Sequence, residues 1–126
     1  MKLLISNDDG IHAQGIAALA NELRKEHDVV LCAPDMERSG ASHSLTFSVP
    51  LMVEPAFVAL CGGLEGHAVS GTPADCVKLG CCNLAPDVDM VVSGINHGAN
   101  AGVYVLYSGT VSAAMEAAAM GMPALA

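Results

Sequence analysis

Tryptophan is absent from the 126 residues, and aromatic side chains amount to only 3 % of them. Val, Leu, Ile, Ala and Met must therefore fill the core, and an apolar fraction of 52 % suffices for the one small domain, residues 1–126, that this length implies. Cations are equally scarce. Five Lys and Arg stand against thirteen Asp and Glu, a formal net charge of −8. That balance argues against a nucleic-acid polymer as partner, because its backbone is bound by Lys and Arg. An anionic substrate would need local help from a metal, from backbone N–H groups or from the few cations near the site. No apolar run reaches the length of a membrane span, so no membrane partner is expected. Neither a GxxxxGK[ST] loop nor a GxGxxG after a strand occurs. Cys32, Cys61, Cys76, Cys81 and Cys82 make an odd count without a regular framework. With no signal peptide, they read as reduced thiols of a cytoplasmic protein. A soft-metal site at Cys81-Cys82 would lack any CxxC pair or Cys/His companion.

What is present begins with Leu3-Leu4-Ile5, a buried strand, followed at once by Ser6-Asn7-Asp8-Asp9-Gly10. Ile16, Leu19, Ala20 and Leu23 then recur at helical spacing, and Val29–Ala33 is a second strand stopped by Pro34. This strand–helix–strand unit implies a right-handed crossover and a parallel sheet. Residues 34–43 read as a loop. Residues 44–58, broken by Pro50 and Pro55, read as edge strands or a hairpin. Cys61–Gly66 reads as a turn and Ala68-Val69 as a short strand. Thr72, Pro73 and Asp75 form a helix start with a capping box, for a helix running to about Asn83. Asp89–Val92 is a further strand, Ser93–Asn100 a glycine-rich loop, and Thr110–Met120 a helix with Gly121 as its stop. Met122–Ala126 resembles the entry to another strand, so a chain lacking its C-terminal part is expected.

Two adjacent carboxylates at the end of a buried strand lose hydration and repel one another. A hard divalent cation, Mg²⁺ or Mn²⁺, relieves both penalties and takes oxygen ligands from Asp, Asn and Ser. Parallel strands carry their C-terminal loops to one edge, so Asn7–His12, Pro34–His43 and Ser93–Asn100 can converge there. Asp8 and Asp9 lead the metal candidates; the alternative is a cap for the helix after Gly10. Asn7 is an active-site donor or a turn residue. Ser39 and Asn96 are turn residues when taken alone, and ligands when set opposite the acidic pair. Arg38 reads as a phosphate partner or a surface charge, and one of His12, His43 and His97 as an acid or phosphate donor. Ser108, Gly109 and Thr110 stand at a helix N-terminus, a ready anion site.

Five blocks, MKLLISNDDGIHAQGI, APDMERSGASHSLTF, SGTPADCVKLG, VVSGINHGANAG and YSGTVSAAMEA, closely resemble the SurE family, the stationary-phase survival proteins, in the family's order and over nearly the whole chain. The resemblance implies a Rossmann-like three-layer α/β/α fold with a mostly parallel sheet, and assembly as a homodimer or homotetramer. It implies a metal-dependent phosphatase, a 5′(3′)-nucleotidase of the acid-phosphatase type that hydrolyses nucleoside monophosphates, with short polyphosphate as a further substrate in some members. By the same resemblance the metal ligands fall on Asp8, Asp9, Ser39 and Asn96. Asp8, Asp9 and Asn96 are the catalytic set, and the phosphate-contacting block falls on Ser108-Gly109-Thr110, with Asn7, Ser39 and Asn96 beside it. Two departures stand out. Family chains are considerably longer. The family also often carries an acid just after the Asn100-Ala101-Gly102 block, where this chain has Val103-Tyr104. A non-catalytic metal- or nucleotide-binding α/β fragment is the alternative reading.

Overall fold

The computed structural model describes all residues, Met1–Ala126. Along the chain run β1 (Lys2–Ser6), α1 (Gln14–Leu23), β2 (Asp28–Pro34), β3 (Val53–Val58), β4 (Leu64–Val69), α2 (Pro73–Leu79), β5 (Met90–Ser93), α3 (Gly109–Ala119) and β6 (Ala124–Leu125). The strands form one sheet in the order β3-β4-β2-β1-β5-β6, parallel except for β3, which runs antiparallel to β4. β1 is central because its residues are apolar on both faces. Leu4 pairs with Val30 on one side and Val91 on the other.

Alternation along the strands supplies two cores. Leu4, Cys32, Val69 and Val91 point to the face covered by α2 and α3, where Val77, Ala113 and Ala117 meet them. Ile5, Leu31 and Ala33 point to the other face, beneath Ile16, Ala17 and Ala20 of α1. The architecture is thus a three-layer α/β/α arrangement. Each fully buried Leu or Ile contributes about 2 kcal/mol through the apolar area it removes from water. No helix is long and apolar enough to cross a membrane.

The helix boundaries follow local chemistry. Thr72 Oγ1 accepts from Asp75 N at 3.1 Å and Thr72 N donates to Asp75 Oδ2 at 2.8 Å, so the capping box forms. The helix then continues as a π-helical turn, Gly80–Leu84. Gly80 allows this helix to lie against the sheet, since a Cβ there would come within 2.7 Å of Leu4 Cδ2.

Two segments differ from the sequence reading. The turn expected over Cys61–Gly66 is confined to the 3₁₀ turn Ala59–Cys61 and the left-handed Gly62 and Gly63, and Leu64–Gly66 already belong to β4. Glu65, Gly66 and His67 carry no strand signature of their own. Pairing with β2 from Leu31↔Gly66 to Pro34↔Val69 makes them a strand. Of residues 44–58, only Val53–Val58 pair. Pro55 is tolerated there because β3 lies at the sheet edge.

Candidate active site

From β1 the chain builds outward through β2 and β4, then returns to the opposite side of β1 with β5 and β6. Reversal of building direction beside β1 creates the crevice in which open α/β sheets place ligands. Backbone hydrogen bonds draw the loops at this edge together. Arg38 N donates to Asp8 O at 2.7 Å, Ile11 N to Pro34 O at 2.9 Å and Gly94 N to Ser6 O at 2.8 Å. Gly15, in the first turn of α1, receives the loop after β5, because a Cβ at that position would stand 1.9 Å from the Ile95 carbonyl oxygen.

These loops border an open cavity of about 730 Å³. Asp8, Asp9, Ser39, Asn96 and Ser108 all line it. Asp8 is buried, and its Oδ1 accepts from the Thr110 hydroxyl, which also donates to Asn96 Oδ1 at 3.2 Å. Asp9 Oδ2 accepts from His97 N at 3.0 Å. Neither carboxylate meets a Lys, Arg or His side chain; the five ion pairs of the molecule lie elsewhere. Neither caps α1, whose N-cap Ala13 has no side-chain hydrogen bond. The acids are therefore not spent on helix capping or on charge pairing.

The remaining sequence candidates fall into place as follows. Asn7 is wholly buried and folds its amide onto Gly10, donating to Gly10 O at 3.0 Å and accepting from Gly10 N at 3.2 Å. It shapes the turn that presents Asp8 and Asp9. Ser39 Oγ donates to Glu37 Oε1, and Asn96 Nδ2 to Gly98 O at 2.9 Å. Ser108 caps α3, its hydroxyl accepting from Val111 N at 3.1 Å. Gly109 passes so close to Asp8 that a Cβ would lie 2.6 Å from the Asp8 Cβ. Arg38 turns to Asp35 Oδ1 and Ser70 O at 3.2 and 3.1 Å, away from the cavity wall. His43 pairs with Glu116 at 2.7 Å, and of the three loop histidines only His97 lines the cavity.

The sequence reading passed over Glu37, a third acid in the wall, and gave no site role to Tyr104 and Tyr107. Both tyrosines lie on a 3₁₀ helix, Gly102–Tyr107, which has no periodic pattern to announce it.

No trio of His, Cys, Asp or Glu gathers to hold a metal. A cation here would rest on the two carboxylates, with Asn96 Oδ1 and Ser39 Oγ as neutral oxygen donors. That all-oxygen set fits a hard divalent ion. The Cys81-Cys82 alternative is weakened by burial and by the neighbouring Cys82 thiol, which push the Cys81 thiol up to about 11, far from the thiolate a soft metal requires.

The description "Survival protein SurE" belongs to the family model that matches residues 3–126. Similar proteins include "5′-nucleotidase SurE" of Syntrophobacter fumaroxidans and of Aeromonas hydrophila, each 54 % identical over the whole chain. The chain spans about half the length of these curated relatives. It superposes on the SurE protein from Aquifex aeolicus with a TM-score of 0.87 at 42 % identity, covering 100 % of this chain and 50 % of that one. With the crevice, the acidic turn and a family match over nearly every residue, this chain belongs to the SurE family of survival proteins.

Proposed function

We propose that the cavity hydrolyses phosphomonoesters of nucleosides, 5′- and 3′-monophosphates alike, with a divalent cation, Mg²⁺ or Mn²⁺. The observation that carries the proposal is electrostatic. Asp8, Asp9 and Glu37 line the cavity, and no Lys or Arg does. A phosphate dianion would be repelled by such a wall unless a cation stood between them.

When bound, the cation would supply positive charge against the phosphoryl oxygens and make an adjacent water more acidic. Asp8 and Asp9 would hold it, Asn96 and Ser39 would complete the donor set, and Thr110 would fix the rotamers of Asp8 and Asn96 through its shared hydroxyl. The first N–H groups of α3, at Gly109 and Thr110, have no partner within the helix, but both residues are buried behind Ser108, the member of that block in the cavity wall, so Ser108 would meet the phosphate first. Asp9, half-buried at the cavity wall, is placed to accept a proton from the attacking water. The names of the relatives, "5′-nucleotidase SurE", support the substrate class.

Phosphate release from nucleoside 5′- and 3′-monophosphates, measured with Mn²⁺ and again after EDTA, tests this reading. Release that EDTA abolishes is the expected result. Release that survives EDTA would remove the metal from the reading. Metal and nucleotide binding without any release would leave the chain a binding fragment.

A further inference from the structure

Of the four aromatic residues in the chain, both tyrosines line the catalytic cavity, whereas the two phenylalanines do not. Tyr104 and Tyr107 are 70 % and 59 % exposed, so neither ring contributes much to the core. Their spacing is i and i+3 on the 3₁₀ helix Gly102–Tyr107. Side chains three apart eclipse on such a helix, one turn or about 6 Å from each other along its axis. Tyr107 immediately precedes Ser108, the N-cap of α3, and its carbonyl accepts from Ser42 N at 3.3 Å, tying the helix to the loop after β2. The aromatic face therefore begins where the phosphate subsite ends and extends away from it by one turn, on the scale of a sugar unit. The remaining wall residues are small or polar, and the one other ring among them is the His97 imidazole.

We propose that Tyr104, with Tyr107 beside it, forms a stacking wall for the nucleobase, and that this wall makes the cavity prefer nucleotides over phosphate esters without an aromatic ring. The inference rests on the phosphomonoesterase reading for its phosphate position. Stacking needs only a π-face, so the wall selects for a base without distinguishing strongly among bases.

The absence of tryptophan gives a direct readout, since the two cavity tyrosines dominate the intrinsic emission. The chain is titrated with adenosine 5′-monophosphate and, separately, with ribose 5-phosphate, the emission being corrected for nucleotide absorbance. kcat and KM are measured for both compounds. The nucleotide should quench saturably and ribose 5-phosphate should not. Tyr104→Ala should weaken nucleotide binding roughly 5- to 30-fold and lower the ratio of the two kcat/KM values by the same factor, through KM. Tyr104→Phe should restore both. Nucleotide affinity and the kcat/KM ratio unchanged in Tyr104→Ala would overturn the wall while leaving the phosphomonoesterase reading intact. Nucleotide affinity that falls in Tyr104→Ala and returns in Tyr104→Phe, read from the remaining Tyr107 emission and without phosphate release, would support the wall and overturn that reading instead.

Discussion

Asp75 of α2 and Glu116 of α3 are buried acids, and the protein answers each of their charges. Asp75 accepts from Thr46 N, Thr46 Oγ1 and Thr72 N at 2.7–2.9 Å. Glu116 accepts from His43 at 2.7 Å and from Lys78 at 3.1 Å. Burial works to raise both pKa values, yet the hydrogen bonds win and hold both carboxyls below the usual carboxylate range. Asp8 and Asp9, at the edge of the same sheet, receive one donor each and no cation. The first pair is finished by the fold; the second is left for a ligand to finish. Removing a charge should therefore harm stability in the first pair and chemistry in the second.

The largest test of this contrast is Asp8→Asn. It should lower phosphate release by roughly 10³-fold or more, equivalent to about 4 kcal/mol of lost transition-state stabilisation. The far-ultraviolet circular dichroism should stay that of the parent chain. Activity close to wild type would erase the distinction between the two pairs.

Binding linkage gives a test without turnover. Mn²⁺ at a hundred times its dissociation constant should stabilise the folded chain by about 2.7 kcal/mol, seen as a higher thermal midpoint that EDTA reverses. Asp8→Asn should lose most of that shift. An equal shift in both proteins would place the ion elsewhere.

Glu116→Ala comes next, at about 2 kcal/mol of stability, because it strands two polar partners and opens a buried position. Lys78 is largely solvated, which keeps the figure modest. Denaturant unfolding measures the loss, and a change below about 0.5 kcal/mol would mean that the pair is only a surface contact.

The smallest effect is the pH response. A carboxyl whose folded pKa is depressed adds stability above its unfolded pKa, and that stability is lost as pH falls through the folded one. Ordinary values are 3.8 for Asp75 and 4.5 for Glu116, so the thermal midpoint should begin to fall below about pH 4.5. Asp75→Ala should flatten part of that decline and remove about 1 kcal/mol at neutral pH through the lost capping box. An unaltered profile would show that the Thr46 and Thr72 bonds carry no charge preference.

Much of this was legible from residue order. Leu3-Leu4-Ile5 before Asn7-Asp8-Asp9 signals a strand end with buried acids, and the Thr72-Pro73-Asp75 box is written within one turn of helix. Such features are local, so their chemistry is local too. β4 was not legible beyond Ala68-Val69, because Glu65-Gly66-His67 become a strand only against Leu31 and its neighbours. Gly66 is even required there, since a Cβ would stand 2.7 Å from the Leu31 Cβ. In the site, Asp8, Asp9, Ser39 and Asn96 were legible as loop residues after strands. The tie of Thr110 to Asp8 was not, because nothing in either segment specifies the other. Arg38 shows the converse: a cation that spacing offers to phosphate is engaged by Asp35 and Ser70 once the chain is folded.

The hydrogen bond between Thr110 and Asp8 joins residues 102 positions apart, and that between His97 and Asp9 spans 88. At about 5–20 residues per second of synthesis, roughly 5–20 s separate the emergence of the acids from that of the hydroxyl that orients them. Until β5 emerges, the turn after β1 carries its carboxylates with neither β5 nor α3 to complete the crevice. The donors that orient the two acids thus lie at residues 97 and 110, and a nascent polypeptide halted before residue 97 would carry both acids without either of them.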